Sequence, residues 1–140
     1  MARSPSADDL ARVPLFSALS KRDLQEVLQA SDQVEYAADD EIVTEGRVGR
    51  EFFLILEGEA RVTTDGKEIT TLGAGDYFGE LSLLDKGPRT ASVVAATDLR
   101  VLVLGQREFA GLVDSVSGLA ARLLPGLARR LREVDAQTVD

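Results

Sequence analysis

The segment Gly75-Asp76-Tyr77-Phe78-Gly79-Glu80-Leu81-Ser82-Leu83-Leu84-Asp85-Lys86-Gly87-Pro88-Arg89-Thr90-Ala91-Ser92-Val93 holds the residues whose types and spacing could do chemistry. It lies between two strand-like stretches, so the chain leaves a sheet for about a dozen residues and then returns. Gly79 to Leu84 could form one or two turns of helix, and the unpaired N–H groups at such a start favour an anion. Pro88 fixes the approach to Arg89, whose planar guanidinium fork suits a phosphate. Glu80, an acceptor-only carboxylate, suits hydroxyl donors such as those of a sugar. Anion cradle, arginine and hydroxyl acceptor together point to a sugar phosphate. On spacing alone, however, Glu80 and Arg89 are as readily a surface ion pair of little worth, and Gly73, Gly75 and Gly79 can serve turns only.

Composition narrows what else the chain could do. Its 140 residues amount to one domain, with a core large enough to need no staples. There is no cysteine and no histidine. Disulfide frameworks, thiolate zinc sites, Ser-His-Asp triads and histidine pH switches are thereby excluded, and a cupin-type metalloenzyme on a similar barrel loses its usual ligands. The formal charge of −8 is the wrong sign for a protein that tracks nucleic-acid phosphates. The expected class is a binding module and not an enzyme, with no metal and no cofactor. Residues 1–9 contain no apolar core of a signal peptide, and no apolar run nears the roughly eighteen residues of a membrane span. The expected location is the cytoplasm.

Elements must position that segment. Residues 1–9 read as a polar, frayed lead-in, followed by a short apolar stretch from Leu10 to Phe16. Ser20 is placed to cap a helix, with Asp23 near the positive end of its dipole and Leu24, Val27 and Leu28 on one apolar face to about Ala30. From Val34 to Leu104 the period becomes two. Ala60 to Thr63 alternates, Asp65-Gly66 is a hairpin turn, and Phe52 to Leu56 is a buried run closed by Glu57-Gly58-Glu59. About eight short strands predict an antiparallel, jelly-roll-like barrel. Two helices follow: Phe109, Leu112, Val113 and Val116 fit one, and Leu119, Leu123, Leu127 and Leu131 fit a second, interrupted by Pro125-Gly126. Residues 106–140 hold five Arg and five acids, so residues 1–105 carry the whole negative charge.

The run Phe78-Gly79-Glu80-Leu81-Ser82-Leu83-Leu84 followed by Pro88-Arg89-Thr90-Ala91 closely resembles the phosphate-binding cassette of cyclic nucleotide-binding domains. Glu45-Gly46, Phe52 to Leu56, Gly58 and Leu72-Gly73 fall at that family's spacing. From Arg89 to about Asp135 the chain is similar to the barrel end and first long helix of the bacterial catabolite activator. The resemblance covers residues 10–135, leaving 136–140 as a tail. It implies an eight-stranded β-roll with N-terminal helices and two C-terminal helices, which agrees with the reading from periodicity.

It also implies residue roles. Arg89 would pair with the exocyclic phosphate and Glu80 would accept from the ribose 2′-OH. Backbone N–H groups of Gly79, Ser82 and Thr90 or Ala91 would complete the cradle, with Leu81 in the same run. Leu83 would couple the cassette to the helical hinge. Val62 and Leu72 are candidate apolar walls for the base, although strand residues like these are more often plain core, and where the activator's long helix offers hydroxyl side chains to adenine this chain has Val134, a candidate base contact, and Asp135. Cyclic AMP is the expected ligand on the bacterial-type pattern, with cyclic GMP admitted because a Thr90 hydroxyl could accept from guanine's 2-amino group. The expected function is a regulatory receptor whose ligand repositions the C-terminal helices and signals to an unidentified protein effector. Two alternatives are a ligand-independent β-roll interaction domain and the isolated regulatory domain of a larger protein. No membrane contact is expected. Because the sequence stops at Asp140, where the activator begins a helix-turn-helix, DNA binding is not expected either. A homodimer through the C-terminal helix is weakened by Pro125-Gly126.

Overall fold

The computed structural model describes residues 7–17, 19–79 and 89–116. The chain enters through helix α1 (Ala7–Ala11), a 3₁₀ turn (Pro14–Phe16) and helix α2 (Lys21–Ala30). The Ser20 hydroxyl accepts from the Asp23 N–H at 3.1 Å, as expected of a cap, and Leu24 and Val27 are the buried side chains of α2. Helix α1 begins inside the stretch expected to fray. Leu10 is wholly buried and anchors that helix to the core.

Eight strands follow among the described residues: β1 (Asp32–Tyr36), β2 (Glu41–Val43), β3 (Glu51–Glu57), β4 (Ala60–Thr64), β5 (Lys67–Leu72), β6 (Tyr77–Phe78), β7 (Ser92–Ala95) and β8 (Leu99–Gly105). Helix α3 (Gln106–Ser115) closes the described chain. The strands form two antiparallel four-stranded sheets, ordered β1-β8-β3-β6 and β2-β7-β4-β5. This is the expected β-roll. The hairpin between β4 and β5 turns on Asp65 (φ 53°) and Gly66 (φ 78°), both left-handed as a type I′ turn demands.

The unalternating run Phe52 to Leu56 now has its reason. The middle of β3 is covered on both faces, so Phe52 to Ile55 are buried on either side of the strand. Phe52 and Leu54, with Leu102 and Leu104, pack against Leu10, Phe16, Val27, Phe109 and Leu112 of the helical layer. Phe53 and Ile55, with Leu99 and Val101, face Ala60, Val93 and Ala95 of the second sheet. The second sheet has solvent on its outer side, and there alternation survives: Ala60 is buried whereas Arg61 reaches the surface. Each buried Phe, Leu, Ile or Val side chain among these contributes about 1.5–3 kcal/mol of burial. The second C-terminal helix expected over Leu119 to Leu131, and the helical turn expected over Gly79 to Leu84, lie outside the described residues apart from Gly79 itself.

Candidate functional site

Strand β6 pairs with β3 through Phe53↔Phe78 and Leu54↔Tyr77, so Gly79 leaves the first sheet beside the start of β3. Strand β7 lies in the second sheet between β2 and β4. The chemistry-bearing segment therefore crosses from one sheet to the other, and Gly79 and Arg89 stand near its two ends.

Those two residues meet. The Arg89 guanidinium donates through Nη2 to the Glu51 carbonyl at 3.0 Å. A Cβ placed on Gly79 would fall 2.4 Å from that same carbonyl, 3.1 Å from Arg89 Nη1 and 3.3 Å from the Phe52 Cα. Gly79 also sits at φ 94°, where a side chain is strained, so both space and backbone geometry require glycine. On its other side the guanidinium lies against Gly49, where a Cβ would come within 2.1 Å of Arg89 Nε. The head of Arg89 is thus seated on the backbone of the β2–β3 loop and the first residue of β3.

The main chain of Arg89 is fixed to that loop as well. Its N–H donates to the Arg47 carbonyl at 2.7 Å and its carbonyl accepts from the Gly46 N–H at 2.9 Å. The Thr90 carbonyl accepts from Thr64 Oγ1 at 3.2 Å. Ser92 Oγ accepts from the Glu45 N–H at 2.9 Å, while the Glu45 carboxylate accepts from the Asp65 N–H at 3.0 Å. The hairpin tip, the β2–β3 loop and the start of β7 are one hydrogen-bonded frame around Arg89. Glu51 acts beyond it too: the Tyr36 phenol is pushed above its ordinary value, first by burial and then by the charges of Glu51 and Asp40.

Of the residues singled out in the sequence, the structure brings Gly79 and Arg89 together, with Thr90 and Ala91 adjoining. Glu80, Leu81, Ser82, Leu83 and Val134 lie outside the described residues. The two candidate base walls separate. Val62 is half-buried on β4, with Val93 and Thr70 as its strand partners, two residues from the Thr64 that binds Thr90. Leu72 pairs with Ala60 and packs in the barrel core at the opposite end of β4, about 13 Å along the strand from Thr64. There it borders an open cleft of about 390 Å³ together with Gly58, Glu59 and Thr97. Val62 is the nearer of the two to the Thr64–Thr90 contact.

Sequence reasoning did not single out Gly49, Arg47 or Glu51 as parts of the site. Gly49 was legible only as turn punctuation, because what demands it is a side chain forty positions away. The Arg47 and Glu51 contributions are carbonyl oxygens, which carry no residue signature. Among the described residues no group of three or more acidic side chains could hold a metal ion, and no helix is long and apolar enough to cross a membrane.

Comparison with known proteins bears on the family and the fold. The family model for the cyclic nucleotide-binding domain matches residues 33–116. A cAMP-dependent protein kinase regulatory subunit of Aspergillus niger is 40% identical over 115 residues, covering 81% of this chain and 28% of the relative. The chain therefore spans less than a third of that protein's length. Among solved structures, cAMP-bound PfPKA-R superposes with a TM-score of 0.85 at 27% identity, over 96% of this chain and 46% of the other. The Thermus thermophilus catabolite activator protein gives a TM-score of 0.78 at 34% identity, over 89% of this chain and 61% of that one.

Proposed function

The chain belongs to the cyclic nucleotide-binding domain family, and from that premise we propose that it is a regulatory receptor module for cAMP, with cGMP as a second, weaker ligand. The observation that carries the reading is the seating of Arg89. Its guanidinium is held by the Glu51 carbonyl, laid on Gly49 and turned toward Gly79, at the crossing between the two sheets. A guanidinium fixed in this way is pre-organised for a phosphate, so little side-chain entropy is lost on binding.

In this reading Arg89 pairs with the exocyclic phosphate oxygens. Glu80 accepts from the ribose 2′-OH, and the N–H groups of Gly79, Ser82 and Thr90 or Ala91 complete the cradle, with Leu81 in the same run. Val62 offers an apolar wall to the base, with Leu72 further from the phosphate and Val134 on the C-terminal side. The ligand favours the state in which the cassette is drawn inward and the C-terminal helices are repositioned, and it shifts that balance only by its differential affinity for the two states. The relatives' names supply the class of listener: a protein effector, as for a kinase regulatory subunit. The module itself performs no chemistry and works in the cytoplasm.

Isothermal titration with cAMP, cGMP and 5′-AMP tests this. Saturable binding of cAMP, weaker binding of cGMP and little binding of 5′-AMP are expected. No heat with either cyclic nucleotide would leave the β-roll as a ligand-independent interaction domain.

A further inference from the structure

The charges around Arg89 are distributed unlike those of the rest of the sheets. Arg61 is committed to Asp39 at 3.5 Å, and Arg100 is committed to Glu57. Arg47 and Arg50 are exposed, and neither makes an ion pair among the described residues. Both sit on the loop that seats Arg89. The Arg47 carbonyl accepts the Arg89 N–H, and Arg50 stands between Gly49 and Glu51, both of which lie against the Arg89 guanidinium. Successive Cα atoms are about 3.8 Å apart, so the Arg50 backbone lies one residue from each of those contacts.

The neighbouring acids are held in place by backbone N–H groups, which fix their positions and leave their charges. The Glu45 carboxylate accepts from the Asp65 N–H, and the Glu51 carboxylate turns back to the Arg50 N–H at 3.1 Å. In a chain whose formal charge of −8 repels an anion, Arg47 and Arg50 offset the charges of Glu45 and Glu51 at this rim, and without them the approach to Arg89 would be net negative.

We infer that Arg47 and Arg50 steer the anionic ligand to Arg89, raising its rate of association without contacting it in the bound state. The inference rests on the receptor reading above and deepens it. At ~10 Å in water a unit charge changes the local concentration of a monovalent ion about twofold, so two arginines together give about fourfold. The effect must fade as the Debye length falls from about 30 Å at 0.01 M salt to about 3 Å at 1 M.

Stopped-flow binding of a fluorescent 8-substituted cAMP to the full chain reads both rate constants. The double variant Arg47→Gln/Arg50→Gln is expected to associate about fourfold more slowly than the parent at 0.01 M salt, with dissociation unchanged and no difference at 1 M. The pair Arg47→Glu/Arg50→Glu should be slower by more than tenfold at low salt. Arg47→Lys/Arg50→Lys should retain the parent's rate, a rescue that a purely structural role would not give. Equal association rates at low salt, an effect confined to dissociation, or a Lys pair as slow as the Gln pair would each overturn the steering role. A parent that fails to bind the probe at all overturns the receptor reading and this inference with it, whereas a parent that binds alongside unaffected variants overturns the inference alone.

Discussion

At the scale of single residues, two glycines define how Arg89 is held, and they should fail differently when substituted. Gly49 faces the far end of a flexible side chain, whereas Gly79 faces the Glu51 carbonyl and carries φ 94°. Gly49→Ala should leave stability within about 1 kcal/mol of the parent, since Arg89 can swing aside, yet weaken cyclic-nucleotide affinity by at least about fivefold, as expected when a pre-organised charged contact is displaced. Gly79→Ala should lower both, with a stability loss of about 1–3 kcal/mol from backbone strain. Denaturant midpoints and titration calorimetry on the two variants check this contrast, which disappears if both glycines only serve turns. Tyr36 gives a pH prediction of definite sign. Its raised pKa means that the neutral phenol is favoured in the folded state, so the associated stability is fully present below the ordinary tyrosine value near 10 and is lost as pH rises through the folded pKa. Tyr36→Phe should flatten the fall in melting temperature above about pH 10, and an unchanged slope would assign the alkaline loss to other groups.

At the scale of elements, β3 joins the site to the helical layer. Phe52 follows the residue whose carbonyl holds Arg89, and its ring stacks on Tyr77 of β6 at 5.5 Å and on Phe109 of α3 at 4.3 Å. Phe52→Ala should destabilise by about 3–5 kcal/mol, from lost burial and the cavity left behind. Combined with Phe109→Ala, the loss should fall short of the sum of the two single effects by about 0.5–1.5 kcal/mol, because one stacked pair is being removed twice. Additive losses would show that the rings pack independently. What the sequence reveals about these elements follows the reach of its signals. The Ser20 cap and the Asp65-Gly66 turn are local hydrogen-bond and backbone rules, and both stand where expected. The run Phe52 to Leu56 identifies a buried strand but not its two distinct partners, since burial on both faces erases the alternation that would have told one side from the other. Helix α1 went unread because a single buried leucine in a polar stretch carries no period.

At the scale of the whole molecule, the described residues already supply two hydrophobic clusters, between Leu10 and Val116. A chain ending at Ser117 should still unfold cooperatively on those clusters, while ligand affinity falls moderately if the following residues act as a lid over the base. A truncated chain without a thermal transition would place Leu119, Leu123, Leu127 and Leu131 in the core instead. The candidate site was half legible at this scale. Arg89 stood out by type, and Gly79, Thr90 and Ala91 through the family resemblance, but the seat of Arg89 on Gly49 and on the Arg47 and Glu51 carbonyls is made by tertiary packing. The central claim is that Arg89 receives the phosphate of a cyclic nucleotide, and calorimetric titration of cAMP into the parent and into Arg89→Ala tests it most directly. A charge-assisted contact of about 1.5–3 kcal/mol predicts at least about a tenfold loss of affinity in a variant whose circular dichroism and unliganded melting match the parent. Equal affinity in that well-folded variant would contradict the account.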